Sequence, residues 1–230
     1  IEKNLVKISI DSTGEGLHKR GYKSFTGKAP MRETLAAAFL RMCKFDPSQP
    51  LIDPMCGSGT FVIEAAEIAV GQAPGKRRAF SFQKFKSFDS NAFEMLLLDQ
   101  KIITKVELHF LGYDRDNGAI KNSRENAQSA NVSDITNFNH QPISDLVPLS
   151  NQCGLIIFNP PYGSRIGDKK KLYALYAKIG TVLKSKFPGW RVGLITSDRS
   201  LAKTTQLKFS FVSEPVSHGG LKVRLYHATL

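Results

Sequence analysis

Short apolar runs alternate along the chain with stretches in which apolar residues recur at helical spacing. Strands of this length and composition are predicted at residues 50–54, 107–114, Thr136–His140, 155–161 and 191–198. Helices are predicted at residues 31–42, 61–70, Asn117–Ser129 and 170–186. Strands that alternate with helices favour an α/β fold, with a mostly parallel sheet covered by helices on both faces.

The two ends of the chain and one internal stretch depart from this alternation. Residues 5–11, LVKISID, alternate as a half-buried strand does, and a basic, glycine-punctuated arm follows up to residue 30. Residues 208–217 and 221–230 flank a His-Gly-Gly turn and predict an antiparallel pair. We therefore expect an arm at residues 1–30 and one domain at residues 31–230. Residues 71–105 form an insert in that domain, with a helix predicted near residues 91–102.

Composition narrows the class of partner. The 230 residues are 41% hydrophobic and 23% charged, which suits one sizeable globular core. Lysine and arginine outnumber aspartate and glutamate by 32 to 20, giving a net charge of +12 that favours phosphate-rich partners. Nucleic acid is the leading partner, and the alternative is a protein that is merely basic.

The sequence lacks the patterns that mark membrane-spanning and secreted proteins. No run approaches the roughly 18 apolar residues of a membrane span, and the first residues lack the order of a signal peptide. The cysteines Cys43, Cys56 and Cys153 are far apart, with no CxxC or Cys/His cluster. We expect a cytoplasmic protein with no membrane contact, no disulfide framework and no metal.

Three loops carry the candidate chemistry: DPMCGSGT at residues 53–60, GYDRD at 112–116 and NPPYG at 159–163. Each follows a predicted strand, and ligands of doubly wound sheets bind beyond the carboxyl ends of the strands. Gly57 and Gly59 permit a sharp turn into a helix whose first N–H groups can meet an anion, while Asp53 can hold a positive group. Asp114 can accept from a ribose diol, and the alternative is that it only caps the next helix.

In this order the loops resemble class I S-adenosylmethionine-dependent methyltransferases whose amino-methylating members carry Asn-Pro-Pro-Tyr. The segments SFTGKAPMRETLAAAFL, QAPGKRRAFSFQKFKSF and GYDRDNGAIKNSRENAQSANV extend the resemblance to THUMP-associated RNA guanine-N2 methyltransferases over nearly the whole chain. The resemblance implies a Rossmann-like, mostly parallel seven-stranded sheet with a C-terminal antiparallel hairpin strand. It also implies S-adenosylmethionine as cofactor, S-adenosylhomocysteine as product and ribosomal RNA as partner. A THUMP RNA-binding domain is expected upstream, in a longer native protein.

The resemblance assigns cofactor contacts to the first two loops. Asp53 lies near the cofactor's ammonium group, residues 56–60 hold its methionine part, and Asp114 takes the ribose hydroxyls. The cofactor candidates are Asp53, Pro54, Cys56, Gly57, Gly59, Thr60, Asp114 and Arg115. Residues 25–28 correspond to the family segment that leads to the methionine end.

One position departs from the family pattern. Most relatives have an acidic residue after the third strand that accepts from the adenine amino group. This chain reads HQPISDL there, which puts Pro142 at the matching position. Gln141, Ser144 and Asp145 are the alternatives for this contact, and the sequence leaves the choice open.

NPPY suits methylation of an exocyclic base amine, whose lone pair is spread into the ring. Asn159 can accept one amine N–H through its side-chain oxygen and the Pro160 carbonyl the other, which aims the lone pair. Tyr162 can stack on the base. We also take Arg165 and Lys169, just after the motif, as substrate-binding candidates. This chemistry requires neither a metal nor a protein nucleophile.

Two basic clusters are interleaved with aromatic residues, in the arm and near residues 76–86. Lys19, Arg20, Lys23 and Lys28 belong to the first cluster; Lys76, Arg77, Arg78, Lys84 and Lys86 belong to the second. They can attract phosphates while the aromatic rings stack on bases. The alternative, favoured for the phenylalanines at residues 80–85, is that the rings pack inside and the lysines face solvent.

The leading hypothesis is therefore methylation of guanine N2 in 23S ribosomal RNA. An N6-adenine methyltransferase acting on DNA or RNA is the alternative within the same class. A protein-glutamine methyltransferase is disfavoured by the positive charge. A nucleic-acid-binding scaffold without turnover is the alternative from another class. The sequence leaves the target nucleotide and the oligomeric state open.

Overall fold

A central sheet organises the chain. The computed structural model describes residues 6–23, 30–98, 110–148, 152–162 and 169–230. Five parallel strands lie side by side in the order β3-β2-β1-β4-β5. They are β1 (Leu51–Asp53), β2 (Phe110–Asp114), β3 (Thr136–His140), β4 (Leu155–Phe158) and β5 (Arg191–Thr196). The order reverses between β1 and β4, so the carboxyl ends of these strands border the crevice in which such sheets bind ligands.

Three C-terminal strands complete the sheet: β6 (Phe211–Val212), β7 (Val216–His218) and β8 (Leu221–Thr229). β8 runs antiparallel to β5, and both β6 and β7 pair with β8. Their registers on β8 differ by one residue, so β6 and β7 act as one strand interrupted by a bulge. The predicted mostly parallel sheet with an antiparallel C-terminal hairpin is confirmed; the structure has eight strands, which become the predicted seven when β6 and β7 are counted as one.

The helices follow the predicted pattern with small shifts. They are α1 (Glu33–Met42), α2 (Thr60–Ala69), α3 (Ser90–Leu98), α4 (Asn117–Ser129), α5 (Lys169–Lys186) and α6 (Arg199–Thr204). The bounds predicted for α4 are confirmed, and α6 was not predicted. The predicted helix in the insert is observed as α3, and residues 99–102 lie outside the described part of the chain.

Alternate residues of the central strands face two separate cores. In β4, Leu155 and Ile157 pack with residues of α1, α2 and α4, whereas Ile156 and Phe158 pack with residues of α5 and α6. All four side chains are fully buried. A strand covered on both faces is apolar at every position, which explains why its sequence reads as an uninterrupted run.

Two details of the predicted elements are wrong. Residues 6–11 form no strand, and the apolar side chains of Val6, Ile8 and Ile10 are 61%, 85% and 76% exposed. A segment in which apolar and polar residues alternate forms a strand only where it can pair with the edge of a sheet. No described strand pairs with this segment. The first helix begins at Glu33 and not at residue 31.

Buried ion pairs fix the arm to the domain. Arg20 binds both carboxylate oxygens of Glu64 on α2, at 3.2 and 3.3 Å. Lys23 binds Glu33 on α1 at 3.1 Å. Burial raises the pKa of Glu64 to about 7, although the Arg20 guanidinium opposes the rise. These two cations of the first basic cluster therefore hold the arm in place and are not free to bind phosphate.

The insert is held in the same way. Arg77 pairs with Glu67 on α2 and donates to the Ala130 carbonyl, while Arg78 donates to backbone carbonyls of the arm, including that of Gly16 at 3.1 Å. Cations of the second basic cluster are thus also used within the fold.

The phenylalanines of the insert pack on each other. The rings of Phe80, Phe82, Phe88 and Phe93 form a chain of contacts with centroids 5.1–5.7 Å apart. These distances are typical of aromatic pairs. Phe85 is 39% exposed at the edge of this group. The packing interpretation of residues 80–85 is therefore only partly right: Phe80 and Phe82 pack on neighbouring rings, but outside the two main cores, and Phe85 is exposed.

We expect Gly180→Ala to destabilise the fold. A Cβ at Gly180 on α5 would lie 1.9 Å from the carbonyl oxygen of Thr205, at the end of α6. Glycine to alanine stabilises an open helix by roughly 1 kcal/mol, whereas overpacking at a tight contact costs about 1–3 kcal/mol. Urea unfolding should show lower stability for this variant. Thr181→Ala, at the exposed neighbouring position, is the control and should be neutral or slightly stabilising. A more stable Gly180→Ala protein would contradict this packing.

Candidate active site

A large cleft opens at the carboxyl ends of β1, β2 and β4. Its volume is about 1710 Å³, and all three candidate loops contribute to its walls. Pro54 and Gly57 come from the first loop, Asp114 from the second and Asn159 from the third. The prediction that the loops share one crevice is therefore confirmed.

The first loop buries a carboxylate at the end of β1. Asp53 is 2% exposed and accepts the Met55 N–H at 3.0 Å, with no salt bridge to any described residue. Burial raises its pKa well above the ordinary value; the Met55 hydrogen bond opposes the rise, and the nearby Asp114 carboxylate adds to it. A buried anion of this kind is stabilised by a cation placed beside it.

Neighbouring elements hold the turn between β1 and α2. The Gly57 N–H donates to Asp114 Oδ2 at 3.0 Å, and the Cys56 N–H donates to the Tyr113 carbonyl at 2.9 Å. From α4, Ser123 Oγ donates to the Gly57 carbonyl at 2.8 Å. Most polar groups of the turn are therefore hydrogen-bonded within the protein. The first N–H groups of α2 lack intrahelical acceptors, so they can donate to an anion bound at the start of this helix.

Gly59 has a packing role. It begins α2 with φ of 79°, a conformation that favours glycine. A Cβ there would lie 3.0 Å from the Phe138 ring and 3.2 Å from the Ser123 Cβ. Gly59 lines neither pocket, so its role is the close approach of α2 to β3 and α4.

The alternative in which Asp114 caps the following helix is wrong. Asp116 is the N-cap of α4, and its Oδ1 accepts from Gly118 N at 2.7 Å and Ala119 N at 3.3 Å. Asp114 instead accepts from Gly57 N and, at 3.0 Å, from Asp116 N. Its carboxylate therefore connects the first and second loops and faces the cleft.

A smaller pocket of about 140 Å³ adjoins the first loop. Its walls include Asp53, Cys56, Thr60 and Asn159, together with Met31 before α1. Asn159 thus borders both the small pocket and the large cleft. This brings the third loop next to the buried carboxylate of the first.

Asn159 carries a polar atom without a partner. Its Oδ1 is buried and accepts no hydrogen bond from any described residue. Pro160 is buried, whereas Tyr162 is half-buried, lines the cleft and packs against both cores. An unsatisfied buried acceptor costs free energy comparable to a lost hydrogen bond, so its persistence at a cleft wall indicates a ligand donor.

Most predicted site residues meet here; two do not, and one residue and one segment lie outside the described part of the chain. Arg115 lines the large cleft as expected. Gly59 and Lys169 line neither pocket, and Lys169 is an exposed residue at the start of α5. Arg165 and residues 25–28 lie outside the described residues.

Several cleft residues were missed from sequence. His218 and Gly219 reach the cleft from the β7–β8 turn, and Lys178 reaches it from the middle of α5. The His-Gly-Gly sequence predicted only a turn, and no local pattern shows that this turn faces the third loop. Lys178 reads as one more solvent-facing lysine of an amphipathic helix.

Among the residues that the structure describes, no three His, Cys, Asp or Glu side chains are grouped so that they could hold a metal ion. Over the same range, each helix is too short or too polar to cross a lipid bilayer.

Comparison with known proteins gives a family match. A family model described as an RMKL-like methyltransferase domain matches residues 20–226. The ribosomal RNA large subunit methyltransferase K/L of Vibrio parahaemolyticus is 37% identical over 215 residues, covering 90% of this chain and 30% of that protein. A Synechocystis protein named as a candidate RNA methyltransferase is 38% identical over 228 residues, covering 98% of this chain and 59% of that protein. The chain thus spans only part of the length of these relatives.

Solved structures agree. A candidate methyltransferase crystallised with S-adenosylhomocysteine superposes with a TM-score of 0.87 at 31% identity, covering 95% of this chain and 57% of that one. A Listeria monocytogenes protein, described as a predicted N6-adenine-specific DNA methylase, gives a TM-score of 0.84 at 31% identity, with coverage of 95% and 56%. The resemblance drawn from the sequence motifs is confirmed.

Proposed function

Because the chain belongs to the RMKL-like methyltransferase domain family, we propose that it methylates the N2 amine of a guanine in 23S ribosomal RNA, using S-adenosylmethionine. The observation that carries the choice of an amine acceptor is the buried Oδ1 of Asn159, which has no hydrogen-bond partner among the described residues and lies at the wall shared by two pockets. An acceptor atom in that place matches an N–H of an amine and has no such match in a carbon acceptor; an amine also brings a second N–H, whereas a hydroxyl brings only one O–H donor.

The residues present fit S-adenosylmethionine. When bound, the cofactor supplies an activated methyl group on a sulfonium. Asp53 is a buried carboxylate with no cationic partner among the described residues, and it suits the ammonium of the methionine part, while the start of α2 suits the carboxylate. Asp114 keeps lone pairs for ribose hydroxyls, because a carboxylate has about four acceptor positions and two are used by Gly57 and Asp116.

The third loop holds the acceptor amine. Asn159 Oδ1 accepts one amine N–H and the Pro160 carbonyl accepts the other, so the nitrogen lone pair points at the methyl group. The two prolines fix the backbone that places these oxygens. Tyr162 offers a ring on which the base stacks, an interaction worth roughly 1–3 kcal/mol. Placement in line with the methyl group supplies much of the acceleration.

The charge distribution supports an RNA partner. Residues 169–230 contain twelve lysines and arginines but only two aspartates and glutamates, so they carry ten of the chain's twelve net positive charges. Of the elements in this segment, α5 and the turn between β7 and β8 line the cleft. The cations of the arm and insert, by contrast, are partly used in the buried ion pairs. We therefore place the RNA backbone on the α5 and β7–β8 side of the cleft.

Exposed lysines on that side should contribute to RNA affinity. Lys178 lines the cleft, and Lys222 lies next to the cleft residue Leu221 on β8. Each phosphate contact on single-stranded RNA adds about 0.7 to the slope of log affinity against log salt. Lys178→Ala with Lys222→Ala should weaken binding of a ribosomal RNA fragment and reduce that slope by roughly 1.4, as measured by fluorescence anisotropy.

The matched control combines Arg41→Ala with Lys121→Ala. These cations are also exposed, and neither lines the cleft. The control removes the same charge and should leave the slope nearly unchanged. Equal effects of the two double variants would show that the attraction is spread over the whole surface, contrary to the proposed docking side.

The acceptor itself is identified by methyl transfer in vitro. Purified protein is incubated with labelled S-adenosylmethionine and ribosomal RNA from a strain lacking the gene, and the labelled nucleoside is identified by mass spectrometry. We expect N2-methylguanosine. Labelled N6-methyladenosine, or transfer to DNA only, would favour the activity for which the Listeria protein is described. Cofactor binding without transfer to any nucleic acid would favour the scaffold.

The proposal extends to the parts of the protein beyond this chain. Because the relatives are longer than the aligned segment, we propose that the native protein also carries an upstream THUMP domain that binds RNA. A ribosomal RNA substrate would place the protein in the cytoplasm.

A further inference from the structure

The residues after β3 form part of the cleft wall. Gln141, Pro142, Ile143 and Ser144 all line it. The Gln141 N–H donates to the Asp114 carbonyl at 2.9 Å, which fixes this segment beside the end of β2. The wall therefore lies next to Asp114, whose carboxylate we assign to the ribose. Because the adenine of the cofactor is attached to that ribose, it would lie against this wall.

Polar groups in this wall are not equally available. Pro142 has no polar side chain. Asp145 is exposed and does not line the cleft, and its Oδ1 accepts from Ser144 Oγ at 2.9 Å. The Ser144 carbonyl accepts from Lys186 at 3.3 Å. Gln141 is half-buried, and its side-chain amide makes no hydrogen bond with any described residue.

The chemistry of an amide matches an adenine edge. The edge presents an amino N–H donor beside the N1 acceptor, and a primary amide presents an acceptor oxygen beside an N–H donor. Asn and Gln pair with adenine in nucleic acids through the same complementarity. We propose that Gln141 recognises the cofactor's adenine amino group through its side-chain amide. Ile143, which is 7% exposed, supplies an apolar surface in the same wall.

This inference rests on S-adenosylmethionine as cofactor and is independent of which base is methylated. Its test is therefore a binding measurement rather than an assay of activity. Calorimetry compares two ligands, S-adenosylhomocysteine and its purine analogue in which hydrogen replaces the 6-amino group. The wild-type protein should bind the amino ligand about three- to tenfold more tightly, as expected for one neutral hydrogen bond.

Three variants assign this preference to a residue. Gln141→Leu, of similar size but apolar, should bind both ligands equally, because the partner of the amino group is gone. Gln141→Glu keeps an acceptor oxygen and should retain the preference. Ser144→Ala removes the neighbouring hydroxyl and should leave the preference unchanged.

Two results would overturn the assignment: an intact preference in Gln141→Leu, or a preference lost in Ser144→Ala. If Gln141→Leu does not fold, Gln141→Ala provides the same comparison, because each variant serves as its own reference for the two ligands. Failure of RNA methylation would leave these outcomes unaffected, so this inference and the proposed function fail separately.

Discussion

Asn159→Ala should reduce the rate of methyl transfer by about 10²–10³, the usual effect of removing one oriented polar contact that acts in the transition state. The wild-type side chain places a buried acceptor oxygen at the cleft wall with no partner among the described residues. Without this oxygen, one hydrogen of the acceptor amine has no acceptor in the site. The nitrogen lone pair is then no longer oriented toward the methyl group. The measurement is single-turnover transfer at saturating S-adenosylmethionine, with cofactor affinity determined separately.

Variants of Tyr162 are the matched comparison, because this ring lines the same cleft. Tyr162→Ala should weaken RNA binding, since a stacking surface is lost. Tyr162→Phe should retain most activity, because the ring and not the hydroxyl carries the proposed role. A wild-type transfer rate in Asn159→Ala would contradict the role of the third loop. So would a loss of activity explained entirely by weaker cofactor binding, because Asn159 also borders the small pocket.

Asp114→Ala should weaken S-adenosylmethionine binding about 10- to 100-fold, measured by calorimetry. Hydrogen bonds to a charged group are worth roughly 1.5–3 kcal/mol, and each 1.4 kcal/mol is tenfold in affinity. The same substitution releases the Gly57 N–H, which Asp114 Oδ2 holds at 3.0 Å, so the turn before α2 also loses a support. The fold should persist, since the strand β2 remains paired on both sides.

Asp116→Ala is the control, two residues away and in the wall of the same cleft. It removes the cap of α4, which typically costs about 0.5–2 kcal/mol of stability, and should leave cofactor affinity nearly unchanged. Unchanged affinity in Asp114→Ala would remove that residue from the site. An equal loss in both variants would trace the effect to the stability of α4.

The sequence predicted which residues line the site better than it predicted the residues that hold them in place. Strand ends are visible in sequence because strands buried on both faces read as apolar runs, and the loops that follow must meet at one edge of a parallel sheet. Asp53, Asp114 and Asn159 could be placed together for this reason. Ser123 and Asn126, which hold the turn from α4 through the carbonyls of Gly57 and Ser58, could not be predicted. Their partners are distant in sequence.

The buried partners of the cations in the basic arm could not be predicted from the sequence either. Arg20 and Lys23 read as surface cations, because composition does not tell which charges find buried partners. A signal was present in α2, where Glu64 and Glu67 interrupt an otherwise apolar helix, since buried carboxylates require cations. That argument would have predicted internal ion pairs, although the partners become known only from the fold.

Nucleoside mass spectrometry of large-subunit ribosomal RNA, compared between wild-type cells and cells lacking the gene, tests the central claim most directly. The account predicts that one N2-methylguanosine disappears in the deletion strain. The full-length gene should restore it, and the same gene carrying Asn159→Ala should not. Unchanged N2-methylguanosine in the deletion strain, or a missing N6-methyladenosine in its place, would contradict the account.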